Sequence, residues 1–332
     1  MSEHKPVVAV TMGDPAGVGS EVIVKGHARA SRDAIPVVVG DADVLRDAVE
    51  VSGSPLSIRT VDDPADARDD QEIIDVIDLD NVSDLSYGDL REAYGAASLE
   101  YVERAIELAT SGAVDAITTA PINKQATRMA GSEYAGHTGM LADYTDTDHY
   151  SMLLVEDDLR VSHVSTHVPL SEACDLVTEE RVFQTVRVTD DALRSLDVDA
   201  PTVAVAGLNP HASDGGLLGD AEAEEIEPAI ERAQNEGIDV VGPESPDTVF
   251  SQAAAGDDVD CVVAMYHDQG HIPIKMLGFE SGGVSGVNVT IGLPIVRTSV
   301  DHGTAFDIAG EGIASEESLV DAVELAARMA RN

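Results

Sequence analysis

Short apolar runs of strand length recur along this chain, and most are followed by a glycine-rich or polar turn and then by helical spacing. Residues 7–12 (Val-Val-Ala-Val-Thr-Met) run into Gly13-Asp14-Pro15-Ala16-Gly17-Val18-Gly19 and a helix from about Ser20. A second run at 36–40 precedes a helix over 41–51, and a third at 73–79 follows an acidic loop at 61–70. Tyr94, Ala97, Tyr101, Ala105 and Leu108 recur at three- and four-residue spacing, which predicts a helix over 91–110. The run at 114–119 then meets Ala120-Pro121-Ile122-Asn123-Lys124. Strand then helix, repeated, predicts α/β architecture with a parallel sheet.

Beyond Tyr134-Ala135-Gly136-His137-Thr138 the pattern changes. Runs at 150–155 and 159–165 flank Glu156-Asp157-Asp158 and read as a hairpin, an antiparallel element. A helix over 179–195 leads to a strand at 202–206 and the loop Gly207-Leu208-Asn209-Pro210-His211. A helix at 222–236, a short strand at 238–241, a loop at 243–247 and a helix at 248–255 follow. The buried strand at 261–265 feeds the turn Tyr266-His267-Asp268-Gln269-Gly270-His271. Residues 287–291 form another strand, broken at Gly292-Leu293-Pro294, before an extended run carrying Arg297. Ser299-Val300-Asp301-His302-Gly303-Thr304 is expected to lead into a helix, and a terminal helix covers 316–329. A boundary near Gly136 gives a first domain over 1–136, completed by 303–332, and a second over 137–302.

Charge narrows the function classes. The 332 residues hold 62 acidic against 20 basic side chains, a formal net of −42. A surface of that sign repels nucleic acid, whose binding needs Lys and Arg on phosphates. The acidic residues are spread over the chain rather than gathered in a tail, so this is not a disordered acidic segment. Self-repulsion of this size is a device of halophiles, and the reading is a cytoplasmic protein of a salt-accumulating organism. Unfolding midpoints should therefore rise steeply from dilute to molar KCl; a flat response sinks that reading. No apolar run approaches the length of a membrane span, no secretory signal is visible at the start, and Cys174 and Cys261 form no metal or redox spacing.

His167, His211 and His267 each lie in a polar turn after an apolar strand. Three neutral imidazoles with an open fourth position suit a catalytic divalent ion, and each alone also suits a hydrogen-bonded turn. His4, His27, His149 and His163 read as ordinary turn or packing residues, while His271 and His302 stay open. Lysine is informative because only Lys5, Lys25, Lys124 and Lys275 occur; Lys124 and Lys275 each follow a strand. The loop 13–19 can present backbone N–H groups to an anion, but it is neither a Walker A sequence nor a full dinucleotide fingerprint.

The segments Gly13-Asp14-Pro15-Ala16-Gly17, Gly136-His137-Thr138, Thr166-His167-Val168-Pro169-Leu170, Gly207-Leu208-Asn209-Pro210-His211, Ala264-Met265-Tyr266-His267-Asp268-Gln269-Gly270 and 286–310 through Asp301-His302-Gly303-Thr304-Ala305 resemble, in order, the 4-hydroxythreonine-4-phosphate dehydrogenase (PdxA) family. The resemblance implies two α/β/α domains around a cleft, similar to isocitrate and isopropylmalate dehydrogenases, and a homodimer. It implies that His167, His211 and His267 hold one divalent ion (Zn, Mg, Mn or Co), with ligands drawn from both subunits. His137, Thr138, Lys275, Asn288 and Arg297 match the substrate contacts. NAD or NADP is implied as cofactor, with Gly292, Leu293, Pro294 and Asp301 assigned to it.

The implied reaction is oxidation of a 4-phosphorylated 3-hydroxy acid followed by decarboxylation, with 4-hydroxythreonine 4-phosphate as the first substrate and 4-phospho-D-threonate or 4-phospho-D-erythronate as alternatives. Lys275 and Arg297 would grip the phosphate. Lys124, Asp247 and Asp268 are the candidates for carrying the proton, Asp247 being equally placed to cap a helix. The family usually carries Glu where Gly139 stands, and the loop through 282–286 looks a few residues long; both bear on substrate identity. A metal-dependent phosphohydrolase and a catalytically silent metabolite sensor are the rivals from other classes.

Overall fold

A computed structural model describes residues 5–134, 136–256, 258–280 and 286–332. In chain order the elements are β1 (Val7–Thr11), α1 (Gly19–Ala30), β2 (Ile35–Gly40), α2 (Ala42–Ser52), β3 (Ser57–Thr60), β4 (Ile73–Asp78), α3 (Glu92–Thr110), β5 (Ala116–Thr119), α4 (Lys124–Met129) and α5 (His137–Tyr144). They continue with β6 (Ser151–Glu156), β7 (Leu159–His163), α6 (Leu170–Asp175), α7 (Glu179–Ser195), β8 (Thr202–Ala206), α8 (Glu227–Asn235), β9 (Asp239–Glu244), α9 (Val249–Ala254) and β10 (Cys261–Ala264). The last are α10 (His267–Glu280), β11 (Val287–Ile291), β12 (Val296–Val300) and α11 (Glu317–Ala330).

The chain forms two compact units. The first holds residues up to 146 together with 294–331, and the second holds 147–293 with Asn332. The sequence reading had set these divisions at 136/137 and 302/303. In the first unit α5 packs on α3, and β12 pairs with β5; His137, Thr138, Arg297 and Asp301 therefore belong to the first unit.

The first unit's strands lie in the order β3-β4-β2-β1-β5-β12, and every pairing is parallel. Its strands β1, β5 and β12 are buried along nearly their whole length because both faces are covered. α3 packs on β1, β2 and β5, while α11 packs on β12, β5 and β1. The second unit's order is β11-β6-β7-β10-β8-β9. Its β11–β6 and β6–β7 pairs are antiparallel, and β7–β10, β10–β8 and β8–β9 are parallel. Its core gathers Leu154, Leu159, Val161, Ala204, Val262, Phe250 and Ile274. No helix among the described residues is long and apolar enough to cross a membrane.

Two expectations are corrected. No helix follows Thr304: residues 301–316 run as turns until α11. Gly310 and Gly312 have φ of +85° and +71°, and Ala305 is also left-handed, which a helix cannot accommodate. No helix starts directly after Asp301, whose N–H donates to Ser318 Oγ at 3.3 Å. The polar turn expected at His267 is instead the first turn of α10, which carries Pro273 inside it. A smaller difference lies at 222–236, which opens with a wide turn over Glu222–Ile226 before α8. The glycine-rich stretch 282–285, whose length was singled out above, lies outside the described residues, as does His4.

Candidate functional site

In the first unit, three loops meet at the carboxyl ends of β1, β5 and β12, the edge where open parallel sheets bind ligands. Gly13 makes their approach possible: its φ is +72°, and a Cβ there would sit 2.3 Å from the Pro121 carbonyl oxygen. Asp14 N–H donates to that carbonyl at 2.9 Å, and Val18 N–H donates to Thr304 O at 3.0 Å. The loop 13–18 therefore ties the segment bearing Lys124 to the one following Asp301.

Asp14 itself is buried. Its Oδ1 accepts the Ala16 N–H at 2.9 Å, whereas Oδ2 has no partner among the described residues. Burial pushes its pKa from 3.8 up to about 6, against a smaller downward pull from the Ala16 hydrogen bond. A carboxyl with a raised folded-state pKa binds its proton more tightly in the fold. The stability it contributes is complete below 3.8 and is lost as the pH rises through about 6. Asp14→Asn cannot titrate, so the melting temperature of wild type minus variant should fall across that window; a constant difference contradicts the assignment.

Arg297 points from β12 into the interior at 2% exposure, and its Nη2 donates to Thr119 Oγ1 at 2.6 Å. Burial pulls its pKa down to about 9, so it stays charged at neutral pH. His137, the first residue of α5, lies within its field. Burial, then the charges of Arg297 and Lys124, hold its imidazole well below the ordinary 6.5, and it is neutral. The residue is partly exposed, but Nε2 is enclosed with no partner among the described residues. Lys124 sits at the N-terminus of α4, with its Cε 3.8 Å from where a Cβ on Gly136 would stand. Thr138 follows on α5. Gly139 is not demanded by space, since a Cβ there would meet the Tyr134 ring at an ordinary 3.8 Å. Two cations and a neutral imidazole thus gather in a chain of net charge −42, an arrangement suited to a small anion.

The second unit carries the histidines. His167 and His267 lie with ring centroids 5.5 Å apart. His267 Nδ1 donates to Asp268 Oδ1 at 2.7 Å, which leaves Nε2 as the open nitrogen. His211 is paired with Asp247, Nδ1 to Oδ2 at 3.7 Å. Asp247 also accepts from Ser245 Oγ at 2.7 Å; it does not cap α9, whose N-cap is Thr248. His211, Asp247, Tyr266 and Asp268 line a cavity of about 730 Å³.

The His211 loop is strained, with positive φ at His211, Ala212, Ser213 and Asp214. Glu222 holds it by accepting from Asn209 N–H at 2.7 Å, Asn209 Nδ2 at 3.0 Å and Ser213 Oγ. Burial raises the Glu222 carboxyl, yet these hydrogen bonds outweigh it and hold the group below its ordinary value. Lys275 lies two turns beyond His267 on α10, and Asn288 lies on β11 opposite Leu154.

The donors fit a divalent first-row ion in kind: imidazoles, one with a ring nitrogen fixed by a carboxylate. Among the described residues of one chain, however, no three His, Cys, Asp or Glu side chains converge as a metal site. Gly292 has φ of +89°, and a Cβ there would lie 2.5 Å from the His149 carbonyl oxygen, so this turn needs glycine whatever it binds. His163, read above as an ordinary packing residue, and His271, left open there, complete a row of imidazoles behind His267. The separation of four between 267 and 271 was the available signal, once α10 is known to be a helix.

A buried guanidinium beside a neutral imidazole, at the strand ends of an α/β sheet, is an arrangement of the class that suits enzymes acting on small anions. The family model for the pyridoxal phosphate biosynthetic protein PdxA matches residues 32–326. The chain belongs to the PdxA family. It is 46% identical to the D-threonate 4-phosphate dehydrogenase of Cupriavidus necator, over 99% of each chain. It is 44% identical to the 4-hydroxythreonine-4-phosphate dehydrogenase of Trichlorobacter lovleyi, again over 99% of each. The crystal structure of a 4-hydroxythreonine-4-phosphate dehydrogenase from Burkholderia phymatum superposes with a TM-score of 0.87 at 46% identity, covering 98% of this chain and 99% of that one.

Proposed function

We propose that this chain is an NAD- or NADP-dependent, divalent-metal-assisted dehydrogenase of a four-carbon 4-phosphorylated 3-hydroxy acid, whose oxidised product loses carbon dioxide. The observation that carries the reading is Arg297, a guanidinium at 2% exposure beside the neutral His137 in a chain otherwise dominated by carboxylates. The planar fork of Arg can make two parallel bonds to phosphate. Thr138, Lys275 and Asn288 complete the proposed substrate contacts.

When bound, the ion supplies polarisation of the substrate's alcohol oxygen and the nicotinamide accepts hydride. The chain's part is to hold and deprotonate. His167, His211 and His267 are the proposed ligands, with a second copy of the chain completing the set. Leu170, Leu217 and Ile272, large apolar side chains left exposed, each follow one of these histidines within six residues; such a surface fits a homodimer contact. Asp268 is engaged with His267 and Asp247 with Ser245 and His211, so Lys124 is the proposed acceptor of the alcohol proton, acting as the neutral amine after its own proton has left to solvent. Gly292, Leu293, Pro294 and Asp301 remain the proposed cofactor contacts. The charge of −42 supports a cytoplasm rich in salt as the working environment.

Relatives of both substrate names stand at 44–46% identity, so both substrates are tested together. Full-length protein in molar KCl with added Mg, Mn, Co or Zn is offered 4-hydroxythreonine 4-phosphate, 4-phospho-D-threonate and 4-phospho-D-erythronate with NAD or NADP. Reduced cofactor from one of them is the expected result. Free phosphate without reduced cofactor would replace this reading with a phosphohydrolase.

A further inference from the structure

Behind His267 the imidazoles continue in a row. The rings of His267 and His271 stack at 3.6 Å between centroids and 12° between planes, and the His271 and His163 centroids lie 4.9 Å apart. Residues 267 and 271 are one helical turn apart on α10, so both rings leave the same face. His271 is itself fixed, since its Nδ1 donates to the His267 carbonyl oxygen at 3.0 Å. His163, buried on β7, donates from Nδ1 to Met152 O at 3.2 Å. Its Nε2 edge is turned to α10 at Gly270, where a Cβ would stand only 2.4 Å away. Glycine at 270 is therefore what lets the inner imidazole approach the helix. None of the three rings can turn without disturbing the next.

We propose that His271 is a positioning residue, which by stacking flat on His267 fixes the plane of that ring and so the direction in which its Nε2 meets a divalent cation. The proposal rests on the metal reading given above. His267 is then held twice: Asp268 grips its edge and chooses the tautomer, while His271, backed by His163, covers one face and leaves the ring facing His167. A ligand gripped only at Nδ1 can still swing about that hydrogen bond. A flat neighbour 3.6 Å away removes the swing. Groups of this kind tune affinity without touching the ion.

The test uses the full chain in molar KCl, stripped by a chelator and titrated with Co2+, reading the visible absorption band and the affinity by chelator competition. His271→Leu, which keeps bulk but loses the flat face, should bind Co2+ about tenfold more weakly, with a shifted band. His271→Phe keeps a flat ring without nitrogens and should restore both wild-type affinity and the wild-type band. Unchanged binding in His271→Leu overturns the proposal, as does a His271→Phe variant as weak as His271→Leu. Wild-type protein that takes up no Co2+ at all sinks the metal reading, and this one with it; the two failures are thus told apart.

Discussion

Replacing Arg297 by methionine raises the KM for a phosphorylated substrate by about two orders of magnitude, the cost of leaving a phosphate without its buried charged partner. Methionine roughly keeps the volume and removes the charge, so the protein should stay folded. The check is steady-state kinetics with the phosphorylated substrate, together with the melting temperature with and without it. Wild type should gain a ligand-induced shift and the variant should lose it. The nearby groups sharpen the expectation. Thr119 Oγ1 holds one nitrogen of the guanidinium at 2.6 Å, so the fork is already oriented when substrate arrives. Lysine in its place would bring charge without the planar pair of donors, and Arg297→Lys should recover only part of the loss. An unchanged KM in Arg297→Met would remove the phosphate from this pocket altogether.

His267→Ala is the second large effect. It deletes an imidazole whose Nδ1 is already committed to Asp268 and whose Nε2 is the open donor. Divalent-ion affinity should fall on the order of a hundredfold or more, and turnover should go with it. Chelator competition measures the first and reduced cofactor the second. Ion binding unaltered in this variant would place the metal elsewhere. The same titration on His211→Ala asks whether the strained loop held by Glu222 supplies a ligand, since in the single chain His211 is paired with Asp247.

Much of the framework was legible in the sequence because it is periodic. The helix expected over 179–195 and the strand over 202–206 occupy those residues in the structure, and the hairpin around Glu156-Asp157-Asp158 is the antiparallel β6–β7 pair. Where reading failed, local signals were at odds with tertiary context. α10 contains Gly270 and Pro273, each a breaker by propensity, yet Gly270 is there to admit His163 and the helix persists. The helix expected after Thr304 satisfied the pattern but not the backbone, since glycines at 310 and 312 turn left-handed. The site was legible only as parts. Lys124, His137 and Arg297 are up to 173 positions apart in number, and their mutual field appears only once β12 is seated beside β5. Burial of Asp14 and the place of His163 beside α10 could not be read either, because neither leaves a local spacing rule.

The first unit is discontinuous, and this sets an order of assembly. Residues 147–293 form an uninterrupted stretch with their own core, whereas β12 and α11, which cover β5 and β1, are made after it. As the chain leaves the ribosome, the inserted body can condense while the earlier strands still lack their closing partner, since domains fold as units during synthesis. The parallel β5–β12 pairing closes a loop of well over a hundred residues, the slowest kind of contact to form. Arg297 rides on that later strand, so its buried charge is set in place only after residues 147–293 have been made.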